Sequence, residues 1–159
     1  KNLRKINNER VGDIQVTSSK LKPIIASKKY YLNATDEYPI LFTIAALIKG
    51  KSSFTGISGL KNKESDRIKE MQKILRQIGI KSKFNKNRLV INGSDRKDYS
   101  KKIIKVSNLG DHRICMSSAV IALLTGANAV IKNFETVGTS SPNFLKIIKS
   151  LGGKFEKKY

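Results

Sequence analysis

Residues 36–48 read DEYPILFTIAALI, an acidic pair followed by a nearly unbroken apolar run. Residues 111–124 read DHRICMSSAVIALL and follow the same plan, an aspartate and then an apolar run. Gly50 closes the first run and Gly126 the second. A helix that is apolar on all sides is buried on all sides, and Asp and Gly are favoured just before and just after a helix. The two stretches therefore predict two fully buried helices.

The segments that follow these two helices repeat in the same order. Each copy continues with a strand, a polar loop, a second helix that ends at a glycine, and a short strand. The copies are offset by about 75 positions, and an internal repeat constrains the fold more than any local propensity. The predicted strand, helix and strand are 52–57, 68–78 and 80–84 in the first copy and 129–134, 144–151 and 154–156 in the second.

Two further segments, 88–92 and 101–106, alternate β-branched and polar residues and predict strands between the copies. The repeated unit is then β-α-β-α-β-β, and the fold class is α+β, with buried helices against mixed sheets. Segment 1–35 holds strand candidates at 14–17 and 30–32 and is interpreted as the tail of a preceding repeat. We expect residues 36–159 to be the last repeat units and residues 1–159 to form a single domain.

The charge of the chain allows two interpretations. It has 32 basic and 12 acidic residues, a net charge of +20. Such a balance suits either nucleic-acid binding or a lysine-rich surface that attracts small anionic substrates. The lysines are spread over every segment, and no glycine-rich motif with interleaved aromatics is present. The composition therefore favours an anionic small molecule over nucleic acid.

Other bulk features bear on the compartment. No apolar run reaches the roughly 18 residues of a membrane span, and the first residues resemble neither a signal nor a transit peptide. A single cysteine, Cys115, excludes a disulfide framework and suits a reducing compartment. We expect a cytoplasmic protein that is part of a longer chain.

The segment Lys63-Glu64-Ser65-Asp66-Arg67 places charge beside the helix predicted at 68–78. Counted back at 100° per residue, Glu64 projects onto the middle of the apolar stripe, Arg67 onto its edge and Asp66 onto the opposite, solvent face. An acid and a guanidinium at the mouth of a helix, with Lys63 beside them, predict an anion site.

A purely structural interpretation is available for each charged residue. Glu64 can complement the helix dipole and pair with Arg67, and Asp36 and Asp111 can serve as N-caps. Cys115, on a buried helix, is expected to be an inert small apolar residue. The residues alone leave these alternatives open.

Several motifs together, in order and spacing, resemble the 5-enolpyruvylshikimate-3-phosphate synthase family. The resemblance covers essentially the whole chain, and the combination of KESDR with DHR is its most specific part. The motifs are ERVGDI (9–14), DEYPIL (36–41), KESDR (63–67), DHRICM (111–116) and SSPNF (140–144).

The resemblance implies a fold and a reaction. The fold has two domains, each of three β-α-β-α-β-β units, with the active site between them. The 5-hydroxyl of shikimate 3-phosphate attacks C2 of phosphoenolpyruvate while C3 is protonated, and phosphate then leaves. No cofactor is implied. The substrates and the N-terminal domain of the same enzyme are the implied partners, with no nucleic acid or membrane, in an enzyme expected to be a monomer and a glyphosate target.

The resemblance also implies roles for individual residues. Asp36 would be the base and a substrate ligand, Glu64 the acid that protonates the methylene carbon, and Lys63 a substrate-contacting lysine. Arg67 and Arg113 would bind phosphoenolpyruvate, which requires both to face one concave surface. Supporting positions are His112, Thr139 and Ser140. Thr139 stands where many relatives carry a lysine, and Gly59 where some carry an asparagine.

Two other functions compete with this interpretation. The first is an enolpyruvyl transferase of the same fold that acts on UDP-N-acetylglucosamine and uses a loop cysteine from a segment outside this chain. The second is a basic nucleic-acid-binding module, which requires a one-sided basic face.

Overall fold

The duplicated stretches form the helices around which the rest of the chain packs. The protein is described from a computed structural model that covers residues 1–95, 98–107 and 109–157. Its strands and helices, in chain order, are β1 (Arg4–Ile6), β2 (Glu9–Val11), β3 (Ile25–Ala26), α1 (Tyr38–Ala46), β4 (Gly50–Thr55), α2 (Arg67–Gln77), β5 (Lys81–Asn85), β6 (Arg88–Gly93), β7 (Ile103–Val106), α3 (His112–Thr125), β8 (Asn128–Ile131) and α4 (Phe144–Ser150).

The first repeat builds a four-stranded mixed sheet in the order β3-β4-β6-β5. Strands β3 and β4 are parallel because α1 crosses between them, whereas β4, β6 and β5 are antiparallel neighbours. A two-residue turn, Lys86-Asn87, joins β5 to β6 with positive φ at both residues, the conformation that matches the twist of a hairpin. The order β3-α1-β4-α2-β5-β6 is the predicted β-α-β-α-β-β unit.

The second repeat follows the first as far as its second helix. Strands β7 and β8 pair in parallel, with α3 between them, as β3 and β4 do around α1. A 3-10 helix then leads to α4, as another leads to α2. The strand predicted at 154–156 is wrong, because this segment forms no strand and pairs with none among the described residues.

The core lies between the inner face of the four-stranded sheet and helices α1 and α2. Phe54, Leu89 and Ile91 point inward from β4 and β6 and are fully buried. The Phe42 ring of α1 stacks edge-on against the Phe54 ring, with 4.9 Å between centroids. At the end of β6, a Cβ on Gly93 would overlap carbonyl oxygens at the end of α1, so only glycine permits this close approach. Helix α3 packs on the other side of α1.

Segment 1–35 differs from its prediction. Its strands are the hairpin β1–β2 and the short β3. The strands predicted at 14–17 and 30–32 are wrong. Ile14 and Val16 have strand propensity but are almost fully exposed and pair with no strand in the described part of the chain. Residues 30–32 lie in a 3-10 helix and a turn, where the Tyr31 ring packs against the Tyr38 ring instead.

Candidate active site

Helices α1, α2 and α3 bring their N-terminal ends together, and a cluster of ionised side chains lies where they meet. Arg67 is the first residue of α2, and Asp111 immediately precedes α3. Asp36 lies in a 3-10 helix, Thr35–Glu37, that leads into α1. The internal repeat places an aspartate at the entrance of both α1 and α3, and the crossing helices bring these entrances within reach of one arginine.

Arg67 is the centre of this cluster. Its side chain is 1% exposed, and each of its three nitrogens donates to a different carboxylate. Nη1 contacts Asp36 Oδ1 at 2.9 Å, Nη2 contacts Glu64 Oε2 at 2.6 Å, and Nε contacts Asp111 Oδ2 at 3.1 Å. Burial lowers the pKa of Arg67, but the three carboxylates outweigh this effect and raise it. The guanidinium therefore stays charged, and the three carboxylates compensate for the burial of its charge.

Asp36 is held by two arginines. Its second oxygen, Oδ2, accepts from Arg113 Nη2 at 3.2 Å, so Arg67 and Arg113 converge on one carboxylate. The prediction that both face one concave surface holds for Arg113, which lines a groove, and not for Arg67, whose side chain is 1% exposed. The hydrogen bond from Arg67 is the largest cause that lowers the pKa of Asp36, and the charges of Arg113, Arg67 and Lys63 add to it against a smaller effect of burial. Asp36 is therefore ionised at neutral pH, and 46% of its side chain is open to a ligand.

The two aspartates differ in their relation to the helices. Asp111 is the N-cap of α3, since its Oδ1 accepts from the backbone N–H groups of Arg113 and Ile114. The N-cap interpretation of Asp36 is wrong. The N-cap of α1 is Glu37, which makes no side-chain capping bond, and the Asp36 carboxylate is turned toward the arginines.

The orientation predicted for Glu64 is also wrong. Helix α2 begins at Arg67, so residues 64–66 do not follow the 100° rotation on which the projection depended. Glu64 is 47% exposed and not part of the buried stripe. Asp66, expected on the solvent face, is half-buried and caps α2 by accepting from the Lys69 N–H at 2.9 Å. Arg67, expected at the edge, is buried.

The other predicted site residues lie around the cluster at different distances. Lys63 is exposed, and its positive charge helps to lower the pKa of Asp36. His112 is the first residue of α3 and half-buried. Thr139 and Ser140 are exposed at the end of a 3-10 helix, where the Thr139 hydroxyl donates to the Thr136 carbonyl. Within the described ranges, no hydrogen bond joins these last three side chains to the arginine cluster.

A shallow groove of about 200 Å³ opens beside the Asp36–Arg113 pair. Its lining is mostly apolar and includes Asp36 and Arg113. Arg113 Nε is buried and has no partner among the described residues, which leaves one donor of this guanidinium unused. The remaining lining residues are Glu37, Ile40, Met116, Ser117, Val120 and Phe144.

Two residues of the cluster were missed in the sequence. Ser65 donates its hydroxyl to Asp111 Oδ2 at 2.8 Å, and Asp111 pairs with Arg67 in addition to capping α3. The repeat pointed to Asp111 as the counterpart of Asp36, but no pattern in the sequence indicated Ser65. Cys115 is buried as expected, and burial, helped by the charge of Asp111, raises the pKa of its thiol to about 11.

Two negative observations concern the described residues only. They contain no group of three His, Cys, Asp or Glu side chains arranged to hold a metal ion. None of the helices they form combines the length and the apolar character that crossing a bilayer requires.

Comparison with known proteins points to one family. The sequence model of the family EPSP synthase (3-phosphoshikimate 1-carboxyvinyltransferase) matches residues 3–148. The 3-phosphoshikimate 1-carboxyvinyltransferase of Zymomonas mobilis is 36% identical over 98% of this chain, and that of Campylobacter jejuni is 37% identical over 93%. The chain spans about a third of these relatives, 35% and 33% of their lengths.

Solved structures agree as well. An EPSP synthase from Acinetobacter baumannii superposes with a TM-score of 0.82 at 32% identity, over 94% of this chain and 35% of that one. The enolpyruvyl transferase NikO from Streptomyces tendae superposes with a TM-score of 0.60 at 14% identity, over 96% and 33%, and shows a shared fold. The α+β class and the enolpyruvyl-transferase fold are confirmed, and the chain belongs to the EPSP synthase (3-phosphoshikimate 1-carboxyvinyltransferase) family.

Proposed function

We propose that residues 1–159 are the C-terminal part of a two-domain enolpyruvyl transferase and supply one side of its active site. The proposed reaction moves the enolpyruvyl group of phosphoenolpyruvate to the 5-hydroxyl of shikimate 3-phosphate. The names of the relatives support this reaction, and the chain spans about a third of their length. The remaining ligands would come from the N-terminal domain of the same enzyme, which would act as a cytoplasmic monomer without a cofactor.

The observation that carries the proposal is that Asp36 and Glu64 accept hydrogen bonds from the two terminal nitrogens of one guanidinium, that of Arg67. Because both nitrogens belong to one planar guanidinium, the two carboxylates that they bind lie side by side. Both are about half-exposed, so both can reach a ligand. A transfer that removes a proton from an oxygen and adds one to a carbon needs two such groups.

Each carboxylate has one step in the proposed reaction. Asp36, ionised at neutral pH, takes the proton of the 5-hydroxyl as its oxygen bonds to C2 of phosphoenolpyruvate. Glu64 gives a proton to C3, which completes the tetrahedral intermediate. The C2–O bond to phosphate then breaks as the proton held by Asp36 passes to the departing phosphate, and C3 returns its proton to Glu64, which forms the enol ether.

The cationic groups hold the anionic substrates. Arg113 lines the groove, and a guanidinium matches carboxylate and phosphate oxygens with paired donors. Lys63 is exposed near Asp36 and can contact the shikimate ring substituents. Arg67 donates hydrogen bonds to the carboxylates of both Asp36 and Glu64. His112, Thr139 and Ser140 are proposed as supporting residues at the edge of the site.

The test is a chimeric enzyme in which this chain replaces the matching third of the Zymomonas mobilis relative. Phosphate release from phosphoenolpyruvate is measured with and without shikimate 3-phosphate. We expect turnover by the chimera that depends on both substrates, and none by residues 1–159 alone. A folded chimera without turnover, or full turnover by the isolated chain, would contradict the proposal.

A further inference from the structure

The carboxylate of Asp111 makes more bonds than a helix cap requires. It is fully buried, and its two oxygens serve different elements. Oδ1 accepts from the N–H groups of Arg113 and Ile114 at 3.0 and 3.3 Å, which is the cap of α3. Oδ2 accepts from Ser65 Oγ at 2.8 Å and from Arg67 Nε at 3.1 Å, which belong to the entrance of α2. Asp111 therefore ties the start of one helix to the start of another.

The bond to Arg67 Nε fixes the direction in which the guanidinium faces. A guanidinium is planar and rigid, so anchoring Nε leaves the plane only the rotation about that bond. The two terminal nitrogens then project toward Asp36 and Glu64. The Ser65 hydroxyl donates to the same oxygen of Asp111, which holds that oxygen in place.

We propose that Asp111 and Ser65 are positioning residues of this site, which fix the plane of the Arg67 guanidinium and, through it, the carboxylates of Asp36 and Glu64. The proposal rests on the function proposed above, because it is in that reaction that Asp36 and Glu64 have chemical roles. Capping of α3 requires only the bonds to Oδ1. It does not account for the bonds that Oδ2 accepts from Ser65 and Arg67.

Two variants separate positioning from capping. In Asp111→Asn the amide oxygen still accepts from the two backbone N–H groups, whereas the amide nitrogen cannot accept from Arg67 Nε or Ser65. Ser65→Ala removes only one donor to Oδ2 and leaves the cap intact. The matched control is Asp66→Asn, which makes the same change at the N-cap of α2, next to Arg67 in the sequence, where Asp66 accepts from Lys69.

The first readout is nuclear magnetic resonance of the isotope-labelled chain. In the unmodified chain we expect the Arg67 Nε–H to exchange slowly with water and the Asp36 carboxyl to titrate below its usual range, since Arg67, Arg113 and Lys63 all act on it. Asp111→Asn should speed the exchange and move the Asp36 pKa up, and Ser65→Ala should do so to a smaller extent. Unchanged exchange in both variants, or an equal change in Asp66→Asn, would overturn the proposal.

The second readout is kcat of the chimeric enzyme. Small misplacements of reacting groups can cost about 10²-fold in rate, so we expect a loss of that order in Asp111→Asn and none in Asp66→Asn. If Asp111→Asn releases Arg67 but keeps full kcat, the positioning role is wrong. If Asp111→Asn does not fold, Ser65→Ala decides both readouts. An inactive unmodified chimera would contradict the proposed reaction, while the magnetic-resonance result would still decide how Arg67 is held.

Discussion

Asp36 and Asp111 occupy equivalent places in the two copies of the repeat, yet their surroundings differ. Asp111 is fully buried, caps α3 and pairs with Arg67, whereas Asp36 caps no helix and is 46% exposed between two arginines. The difference follows from the turn before each helix. A 3-10 turn precedes α1 and turns Asp36 outward, while an extended Asp111 leads directly into α3. One copy thus supplies a structural carboxylate and the other a carboxylate that can meet a ligand.

The repeats also differ in the size of the sheet that packs against their helices. The first has a four-stranded sheet over α1 and α2, and the second has only the two strands β7 and β8 within the described residues. Ile103 and Val130 of this pair are about half-exposed, as is Ile147 of α4. The sheet and α4 of the second repeat therefore bury less apolar surface than those of the first.

The largest expected effect is a difference in the stability lost when each of the two aspartates is replaced by alanine. Asp111→Ala leaves the buried Arg67 without one carboxylate and α3 without its cap, and breaking a buried pair typically costs about 3–5 kcal/mol. Asp36→Ala also removes a partner of Arg67, but from a half-exposed position where water can replace it, so we expect a smaller loss than in Asp111→Ala. Urea unfolding of the two variants measures this. Equal losses would show that exposure does not distinguish the two positions.

A smaller effect should separate the two repeats. Leu75 of α2 is fully buried, so Leu75→Ala should lower the free energy of unfolding by about 2–5 kcal/mol. Ile147 of α4 is 50% exposed, and Ile147→Ala should cost less than about 1 kcal/mol. Thermal and urea unfolding of both variants provide the comparison. A large loss in Ile147→Ala would show that α4 is as well packed as α2.

The order of elements was predictable because it depends on patterns that the sequence carries twice. The apolar runs after Asp36 and Asp111 gave α1 and α3, and the amphipathic stripe gave α2. The strands at 14–17 and 30–32 were wrong because strand propensity requires a partner strand, and pairing is a property of the whole fold.

The sequence predicted which residues form most of the site, but it predicted their orientation and exposure less well. Arg67 and Arg113 were expected to converge because the repeat puts both near helix starts, and both contact the Asp36 carboxylate. The exposure of Glu64 was wrong because helical periodicity was extended beyond the N-cap at Asp66. Ser65 was missed because its bond to Asp111 joins residues 46 positions apart, a contact that no local pattern encodes.

The smallest expected effect concerns pH. Because Arg67 and then Arg113 and Lys63 lower the pKa of Asp36 in the folded chain, Asp36 adds stability above the pKa of an unfolded aspartate, about 3.9. That contribution is lost as the pH falls through the lower folded value. The urea midpoints of the unmodified chain and Asp36→Asn should therefore draw together between about pH 6 and pH 3. A gap that widens in acid would reverse the assigned sign.

The central claim is that Asp36 is the base of the proposed transfer, and turnover by Asp36→Asn in the chimeric enzyme tests it most directly. Asparagine keeps the size and the oxygen acceptor of Asp36 but cannot take the 5-hydroxyl proton, and loss of a general base typically costs 10²–10⁴-fold, about 3–5 kcal/mol of barrier. The matched control is Asp66→Asn, the same change at the N-cap of α2, which does not line the groove and should keep normal turnover. We predict a folded Asp36→Asn enzyme whose kcat falls by at least about 10²-fold. A kcat near that of the unmodified chimera would contradict the assignment and leave the proposed reaction without its base.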